Sequence, residues 1–446
     1  MSIFKACDIR GAFETELTVD HAAALGRALA VRERPAGVLV AGDGRLSTPA
    51  LKNALVGSLV ECGIDVTDLG RVPTPVFYFA RRRLGIPVGV MVTASHNPKT
   101  DNGFKIALGE LPISEAQLDE IRRLMESGAT CSGASKGVVR STDLTAEYVA
   151  FVKSCCGSDS GEMRIVVDAG NGMLGPLAPG VLADLGYRVD VMFGGVDGRF
   201  PNHPPNPAVA ANLQSLCERV RSSGADLGAA YDGDGDRVAF VNERGEPVDN
   251  DRVIVLYARA ALVQRPGSTI VYDQKCSDVV REEIVRAGGL PRMEKSGHTF
   301  IKTTFLQTHS AYAGEMSGHH FFSDVGGDDG LIASLRMAEI VRASGKTLSQ
   351  LVAAIPRYPI TPDLRLSVEP GEADVIIASI KQGIRGALEM TELDGVRVQF
   401  QDGWGMARPS VTEPAITLRF EGKTREALDR IRSEFVRAAP QLAGRI

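Results

Sequence analysis

The sequence predicts an α/β protein in which three similar α/β units are followed by an α+β unit. Three segments share one pattern, in which a run of apolar residues ends at an aspartate and a helix-like stretch follows. The three segments are GVLVAGDGR (37–45), RIVVDAGNG (164–172) and STIVYDQKC (268–276). Such alternation of strands and helices is typical of parallel or mixed sheets covered by helices. The 446 residues are also too many for one hydrophobic core.

The aspartates that end these runs are Asp43, Asp168 and Asp273. In open α/β sheets, ligands bind at the carboxyl ends of the strands, so chemistry is expected in the loops that follow. The C-terminal part differs, because residues 396–422 predict strands with a loop between them and residues 424–441 predict an amphipathic helix.

Domain junctions are expected where Gly, Pro and short polar residues cluster. Such clusters are CCGSDSG (155–161), NERGEPVDN (242–250) and PRYPITPD (356–363). We therefore divide the chain into α/β domains at 1–143, 144–247 and 248–357 and an α+β domain at 358–446.

Composition and charge exclude several classes of protein. Hydrophobic residues make up 44% and charged residues 24% of the chain, which is usual for a soluble globular protein. No apolar run is long enough for a transmembrane helix, and Asp8 precedes any apolar region of a secretory signal. The net charge is −5 and the basic residues are dispersed, so neither a membrane nor a nucleic acid is an expected partner.

The cysteines agree with a cytoplasmic protein. No pair of them has the spacing of a zinc site, and we interpret all seven as reduced thiols. They are Cys7, Cys62, Cys131, Cys155, Cys156, Cys217 and Cys276.

The clearest chemical motif is DGDGDR (232–237), which lies between the predicted strands DLGAAY and RVAFV. It brings Asp232, Asp234 and Asp236 into one turn, where packing the carboxylates together without a cation would be costly. Ligands that are all oxygen suit Mg²⁺, Mn²⁺ or Ca²⁺ rather than zinc. A solvated hairpin turn is the structural alternative.

Two other kinds of site also use closely spaced aspartates. An EF-hand loop requires glycine at its sixth position, where this chain has Arg237, and it requires flanking helices rather than strands. We reject that interpretation. A site of the haloacid-dehalogenase type begins with an apolar strand and DxD and would make Asp232 the nucleophile, and we keep it as an alternative.

The segment TASHNP (93–98) follows the apolar run GVMV, so Ser95 lies at the end of a predicted strand. A hydrolase elbow would need glycine where Thr93 and Asn97 stand. A helix N-cap is another alternative. If Ser95 is phosphorylated, a phosphate oxygen can complete the metal site, and cations must then balance the charge. The candidate cations are Arg10, Lys105 and Arg237.

Two further loops carry groups that bind sugars or phosphates. In GEMSGH (314–319), Glu315 and Ser317 point the same way on an extended segment and can grip neighbouring hydroxyls. In RPSVTEP (408–414), an arginine, two hydroxyls and backbone N–H groups can form a phosphate cradle. A surface turn and an interstrand turn are the respective alternatives.

Taken together, these loops closely resemble the α-D-phosphohexomutase family, in particular its bacterial phosphomannomutase/phosphoglucomutase branch. The ordered set spans nearly the whole chain and is far more specific than any one motif. The matching motifs are KACDIRG (5–11), GDGRLSTP (42–49), TASHNP (93–98), NGFK (102–105), FPNHPPNP (200–207), DGDGDR (232–237), GEMSGH (314–319) and RPSVTEP (408–414). The resemblance implies four domains around a central cleft, with one main loop from each domain.

The resemblance also implies roles for residues of this chain. Ser95 would be the phosphoserine, and Mg²⁺ would be held by its phosphate together with Asp232, Asp234 and Asp236. The residues implied at the reaction centre are Arg10, Lys105, His298 and His319. Lys105 is the favoured acid/base group, provided that cationic neighbours such as Arg10 lower its pKa. The implied substrate-binding residues are Arg237, Lys275, Glu315, Ser317, Arg408, Ser410 and Thr412.

The implied reaction interconverts the 1-phosphate and 6-phosphate of mannose, glucose or both, through a hexose 1,6-bisphosphate that also serves as activator. The implied partner is a phosphosugar, and a monomer is the expected state. A phosphoglucosamine mutase is an alternative, although that branch usually has Gln where Met316 stands. A sugar phosphatase, in which water accepts the phosphoryl group, is a less favoured alternative. A non-catalytic sugar-phosphate binder would lack the reacting groups, but Ser95, the three aspartates and Lys105 are all present.

The chain departs from the family pattern at three places. Cys7 stands where the family usually has an aromatic residue, and Val411 replaces the usual Asn or Gly of the phosphate loop. A β-branched residue strongly disfavours a positive φ, so that loop must differ here if the family conformation needs one. HPPNP also differs slightly from the common form. None of these changes removes a reacting group.

Overall fold

A computed structural model describes residues 3–131, 133, 135–157, 162–409 and 415–446. The described residues form four sheets, of which the first three mix parallel and antiparallel pairs and the fourth is entirely antiparallel. The predicted fold class, three α/β domains with mixed sheets and a C-terminal α+β domain, is confirmed.

The N-terminal unit is a six-stranded mixed sheet. Its elements are β1 (Ile9–Ala12), α1 (Val19–Glu33), β2 (Gly37–Gly42), α2 (Thr48–Glu61), β3 (Asp65–Arg71), α3 (Thr74–Leu84), β4 (Val88–Val92), β5 (Asp101–Leu108), α4 (Glu115–Glu126) and β6 (Val139–Ser141). The strand order is β1-β5-β4-β2-β3-β6. The central strand β4 is buried along its whole length, which explains why its sequence is continuously apolar.

The second unit is a four-stranded sheet with the order β10-β9-β7-β8. Its elements are α5 (Thr145–Ser154), β7 (Arg164–Asp168), α6 (Ala178–Asp184), β8 (Arg188–Met192), α7 (Gln214–Ser223), β9 (Leu227–Tyr231) and β10 (Val238–Asn242). Strands β9 and β10 are antiparallel neighbours, so the aspartate-rich motif is the turn between them. The flanking strands exclude an EF-hand, as the sequence predicted.

The third unit is a five-stranded sheet with the order β12-β11-β13-β14-β15. Its elements are α8 (Asn250–Gln264), β11 (Thr269–Asp273), α9 (Asp278–Arg286), β12 (Leu290–Glu294), α10 (His298–Gln307), β13 (Tyr312–Gly314), β14 (His320–Phe322), β15 (Gly327–Asp328), α11 (Gly330–Ser344) and α12 (Leu348–Ala353). The motif GEMSGH (314–319) therefore connects β13 to its antiparallel neighbour β14.

The fourth unit is a five-stranded sheet with the order β16-β20-β19-β18-β17, packed against helices. Its elements are β16 (Leu364–Ser367), α13 (Glu372–Gly383), β17 (Glu389–Thr391), β18 (Val396–Phe400), β19 (Gly403–Pro409), β20 (Ala415–Gly422) and α14 (Arg425–Ala438). The predicted strands and the terminal helix are present.

The hydrophobic core is continuous through the first three units and separate in the fourth. One cluster extends from Phe77 through Ile165 to Leu331, whereas the fourth unit packs its own cluster around Phe420 and Phe435. Among the described helices, none combines the length and apolar character needed to cross a membrane.

One prediction about the cysteines is wrong. Cys62, at the end of α2, and Cys131, beyond α4, form a disulfide with their Cα atoms 5.2 Å apart. The sequence spacing of 69 residues gave no indication of this pair. The other five cysteines are free thiols, as predicted.

Candidate active site

The loops that leave three strands at their carboxyl ends meet at one place. Ser95 follows β4, Asp232 follows β9 and Glu315 follows β13. The Oγ atom of Ser95 donates to Oδ2 of Asp232 at 2.6 Å, and a β-bridge joins Arg237 to His319. The structure thus brings together the motifs that the sequence placed at strand ends.

Ser95 is fully buried and has a φ of 51°. Its N–H donates to the Thr93 hydroxyl at 2.9 Å, and its Oγ lies 3.2 Å from Nδ1 of His96. The loop continues into β5 at Asp101 rather than into a helix, so Ser95 is not a helix N-cap.

The three aspartates of the β9–β10 turn are Asp232, Asp234 and Asp236, and each is fully buried. Three of their carboxylate oxygens lie within 4.8 Å of one another. This burial excludes the solvated hairpin turn. Burial and the two neighbouring carboxylates raise the pKa of Asp232. Among the described residues, the buried Oδ1 of Asp234 accepts no hydrogen bond. An oxygen-only cluster with a free buried acceptor suits a hard cation such as Mg²⁺.

Lys105 reaches this cluster from β5. Its Nζ donates to Asp234 at 2.7 Å and also contacts Asp236. Burial alone would lower the pKa of Lys105, but the carboxylates outweigh burial and raise that pKa above its ordinary value. The expectation that cationic neighbours such as Arg10 lower the pKa of Lys105 is therefore wrong in this arrangement, because the carboxylates lie closer.

His319 joins the aspartate cluster to the GEMSGH loop. Its Nε2 lies 3.3 Å from Oδ1 of Asp236, and its Nδ1 lies 3.0 Å from Oε2 of Glu315 and 3.1 Å from the hydroxyl of Ser317. Burial opposes protonation, but the carboxylates prevail and raise the pKa of His319 to about 9. In the same pair, the histidine outweighs burial and lowers the pKa of Glu315 to about 2.

His298 begins α10 beside His319, with ring centroids 5.1 Å apart. Burial lowers the pKa of His298 to about 3, so the ring is neutral at pH 7 even though Asp328 lies 3.7 Å away. Asp328 also accepts from Lys302 at 3.0 Å. The family resemblance implied a place for His298 at the reaction centre, but nothing in the sequence indicated the buried ion pair of Lys302 with Asp328.

Two arginines lie at the edges of the centre. Arg10 Nη1 donates to the Asn97 side chain at 3.1 Å, in the Ser95 loop. Arg237 Nε lies 3.3 Å from Nε2 of His319 and 3.9 Å from a carboxylate oxygen of Asp232. Arg10 therefore lies against the Ser95 loop, where it also pairs with Asp8 at 2.7 Å, and Arg237 lies against the aspartate cluster.

The remaining predicted binding residues lie in the third and fourth units. Lys275 Nζ pairs with Asp363 at 3.1 Å, across the junction to the C-terminal unit. Arg408 is the penultimate residue of β19 and pairs with Asp394 at 3.3 Å. Ser410, Val411 and Thr412 lie outside the described residues.

The sequence did not single out several residues that support the site. Thr74 donates to Asp234 at 2.7 Å from the start of α3, and His96 lies against the Ser95 hydroxyl. Arg45 donates to four carbonyl oxygens of the Ser95 loop. The motif GDGRLSTP contains Arg45 and was a usable signal, whereas Thr74 had none.

A buried serine hydroxyl that donates to one of three clustered carboxylates, in a site assembled from separate α/β domains, suits phosphoryl transfer, which depends on positioning and on the neutralisation of charge. Comparisons with known proteins agree. Models of the phosphoglucomutase/phosphomannomutase family match all four parts, namely alpha/beta/alpha domain I (1–130), domain II (146–245), domain III (249–358) and the C-terminal domain (367–438).

Individual relatives are similar over nearly their whole length. A phosphomannomutase/phosphoglucomutase of Pseudomonas aeruginosa is 39% identical over 97% of this chain and 94% of the relative. A phosphoglucomutase of Neisseria meningitidis is 37% identical over 97% and 95%. The crystal structure of a phosphoglucomutase/phosphomannomutase family protein from Burkholderia thailandensis has a TM-score of 0.91 and 37% identity, covering 99% of this chain and 98% of that chain.

The chain belongs to the phosphoglucomutase/phosphomannomutase family, and it is a hexose-phosphate mutase, an isomerase that acts by phosphoryl transfer.

Proposed function

We propose that this enzyme interconverts the 1-phosphate and 6-phosphate of mannose, glucose or both, with Ser95 as the phosphorylated nucleophile. The observation that carries the proposal is the 2.6 Å hydrogen bond from the Ser95 hydroxyl to Asp232, within a buried cluster of three carboxylates. A phosphoryl group on Ser95 would sit beside those carboxylates and the Lys105 ammonium. The haloacid-dehalogenase alternative would make Asp232 the nucleophile, but it leaves the buried hydroxyl without a role.

Asp232, Asp234 and Asp236 would hold Mg²⁺ together with an oxygen of the serine phosphate. When bound, Mg²⁺ neutralises phosphate charge and stabilises the serine oxygen as a leaving group. The carboxylates that raise the pKa of Lys105 are the same ones that would be shared with the metal. Lys105 would take the proton of the attacking sugar hydroxyl as a neutral amine, which requires that these carboxylates hold its ammonium less strongly than they do in this arrangement.

The other residues position the sugar and balance charge. His319 holds Glu315 and Ser317 in place. Glu315 accepts hydrogen bonds from sugar hydroxyls, and Ser317 can accept or donate them. The positive charge of protonated His319 balances the negative charges of Asp236 and Glu315, the two carboxylates that it contacts. The ring of His298 lies beside His319 and is neutral, so it can form hydrogen bonds without adding a second positive charge. Arg10, Arg237 and Lys275 provide further positive charge around the phosphates.

The distal phosphate would be bound by Arg408 together with Ser410 and Thr412 of the C-terminal domain. Phospho-Ser95 donates its phosphoryl group to the free hydroxyl, which gives the hexose 1,6-bisphosphate. That intermediate turns over in the cleft, and its other phosphate returns to Ser95 to leave the isomeric monophosphate. The same bisphosphate can phosphorylate Ser95 initially and thus serves as activator.

The phosphoglucosamine alternative is weaker at the sugar loop. Asn250 donates to the carbonyl of Met316 at 2.7 Å, and the Met316 side chain brings a thioether where that branch usually has an amide.

The proposal further divides the chain at 143/144, 247/248 and 357/358 and describes the enzyme as a cytoplasmic monomer. Its partner is the phosphosugar.

Phosphorus NMR of the purified enzyme with Mg²⁺ and trace glucose 1,6-bisphosphate tests the proposal. Mannose 1-phosphate, glucose 1-phosphate and glucosamine 1-phosphate are supplied separately, each beside a Ser95→Ala control. Growth of a 6-phosphate signal without inorganic phosphate is expected for mannose or glucose and not for Ser95→Ala. Release of inorganic phosphate would indicate a phosphatase, and full activity of Ser95→Ala would return the nucleophile to Asp232.

A further inference from the structure

The backbone at the nucleophile adopts a conformation that its surroundings must impose. The φ of Ser95 is 51°, in the left-handed region, which costs a residue with a side chain about 1 kcal/mol or more. The loop runs from the end of β4 at Val92 to the start of β5 at Asp101 without a regular element between them. Contacts from outside the loop are therefore needed to fix it.

The guanidinium of Arg45 makes those contacts. Its Nη1 donates to the carbonyl oxygens of Pro98 at 2.6 Å and Asp101 at 2.9 Å. Its Nη2 donates to those of Ser95 at 2.8 Å and Asn97 at 2.7 Å. One side chain thus ties four carbonyls of a single loop, including that of the nucleophile. The side chain is fully buried, so water cannot replace these bonds when the guanidinium is removed.

A second set of contacts fixes Arg45 itself. Its Nε lies 3.2 Å from Oδ2 of Asp43, at the end of β2. The same carboxylate oxygen accepts the hydroxyl of Thr93 at 2.8 Å, and that hydroxyl in turn accepts the N–H of Ser95. Strands β2 and β4 are neighbours in the sheet. The Ser95 loop is therefore held both by β4, from which it leaves, and by Asp43 and Arg45, which follow β2.

The neighbouring unit covers the guanidinium. The ring of Phe200, in the FPNHPPNP motif, lies 5.2 Å from Cζ of Arg45. A Cβ atom at Gly198 would lie 2.5 Å from the carbonyl oxygen of Gly44, so the two units touch closely here. Two motifs without a catalytic role, GDGRLSTP and FPNHPPNP, therefore meet at Arg45.

We propose that Arg45 is a positioning residue for phosphoryl transfer, which rests on the proposed role of Ser95 as nucleophile. The guanidinium of Arg45 contacts the backbone of the loop, the Asp43 carboxylate and the Phe200 ring. Its function is to hold the Ser95 hydroxyl at the metal-binding carboxylates while the serine gains and loses a phosphoryl group. A lysine supplies the charge but not the planar fork of donors, so it can satisfy only part of this arrangement.

Three variants separate positioning from general stability. Arg45→Met removes the fork and keeps an unbranched side chain, and Arg45→Lys keeps the charge. Arg81→Met is the matched control, because Arg81 donates to the carbonyls of Pro87 and Gly109 in the same domain but has no partner in the Ser95 loop among the described residues. The readouts are kcat and KM for the hexose phosphate, and phosphoserine content by intact mass after incubation with glucose 1,6-bisphosphate.

We expect kcat of Arg45→Met to fall about 100-fold, because a displacement of about 1 Å at a reacting group has an effect of that size. KM should change by less than about threefold, since the substrate contacts are made by other loops. Arg45→Lys should recover part of kcat. Phosphoserine should accumulate more slowly in both Arg45 variants. Arg81→Met should keep kcat within about twofold of the wild type.

A wild-type kcat in Arg45→Met, an equal loss in Arg81→Met, or a loss confined to KM would overturn the proposal. If Arg45→Met fails to fold, the test rests on Arg45→Lys alone. A wild-type kcat in Arg45→Lys would then overturn the positioning role of Arg45. Failure of the proposed function gives a different result. In that case the wild-type enzyme would carry no phosphoserine, or Ser95→Ala would stay active, whatever the Arg45 variants do.

Discussion

The ammonium of Lys105 forms ion pairs with two of the carboxylates that would bind a metal ion. It lies 2.7 Å from Asp234 and also contacts Asp236, and both carboxylates are fully buried. Removing the ammonium leaves buried charges without their partner, which costs about 3 kcal/mol or more. A bound Mg²⁺ would restore the balance. The metal should therefore stabilise the protein more when Lys105 is absent.

We expect Mg²⁺ to raise the melting temperature of Lys105→Met by more than it raises that of the wild type. Thermal unfolding in EDTA and in saturating Mg²⁺ measures this difference. Lys302→Met is the matched control, because Lys302 is equally buried and pairs at 3.0 Å with Asp328, which is not one of the three proposed metal ligands. An equal Mg²⁺ effect in the wild type and Lys105→Met would contradict the competition.

A neutral buried histidine makes stability depend on pH. His320 is fully buried with its Nδ1 2.7 Å from the Tyr312 hydroxyl, and burial lowers its pKa to about 3. The unfolded chain has a pKa near 6.5 at this position, so it takes up a proton first as the pH falls. The stability that depends on neutral His320 is therefore complete above about pH 6.5 and is lost as the pH falls towards 3.

For this one residue the loss between pH 6.5 and pH 5 is roughly 1.5 kcal/mol. Urea unfolding at several pH values, compared between the wild type and His320→Gln, measures the slope. The variant should lose less stability over this interval than the wild type does, whatever its stability at pH 7.5. Parallel pH profiles would show that His320 does not titrate in this way.

At the scale of elements, the strands follow directly from composition. Strands β2, β7 and β11 lie where the three apolar runs predict them, because a strand covered on both faces is apolar on both. The loops after these strands could also be identified as places for chemistry, since the carboxyl edge of an α/β sheet is where ligands bind.

Contacts between distant loops could not be predicted from spacing. Ser95 and Asp232 are 137 residues apart, and only the resemblance to a family placed them together. The protonation of Lys105 depends on which charges lie nearest, and the sequence suggested cations where the structure has carboxylates. The Cys62–Cys131 pair was hidden for the same reason, because the fold and not the spacing decides which thiols meet.

The turn that carries the three aspartates touches the Ser95 loop at a glycine. A Cβ atom at Gly233 would lie 2.6 Å from the carbonyl oxygen of Ser95. Since backbone cannot yield as a flexible side chain does, Gly233→Ala should push the two loops apart. We expect mutase activity to fall at least about tenfold, because the reacting groups separate while the fold persists.

Gly57→Ala is the matched control for that substitution. Gly57 lies within α2, and a Cβ atom there meets nothing within 4 Å. Alanine should stabilise the protein by about 0.5–1 kcal/mol and leave activity unchanged. Steady-state kinetics and thermal unfolding of both variants measure these effects. Wild-type activity in Gly233→Ala would contradict the prediction, because it would show that close contact between the Ser95 loop and the aspartate turn is not needed.

At the scale of the whole molecule, the C-terminal domain is attached differently from the other three. It has its own hydrophobic cluster, whereas one cluster runs through the first three domains. Polar pairs join it to the third domain, including Arg397 with Asp278 at 2.9 Å and Lys275 with Asp363 at 3.1 Å. Polar interfaces of this kind favour relative motion of domains, and residues 356–363 form the connecting segment.

We therefore expect the C-terminal domain to close over a bound bisphosphate. A ligand held at one end by the Ser95 site and at the other by Arg408 draws the two sides of the cleft together. Small-angle scattering should show a smaller radius of gyration with Mg²⁺ and saturating glucose 1,6-bisphosphate than without them. Arg408→Ala should have the wild-type radius when free and should not become compact with the ligand. An unchanged radius in the saturated wild type would contradict the hinge, and equal compaction in Arg408→Ala would place the closing contact elsewhere.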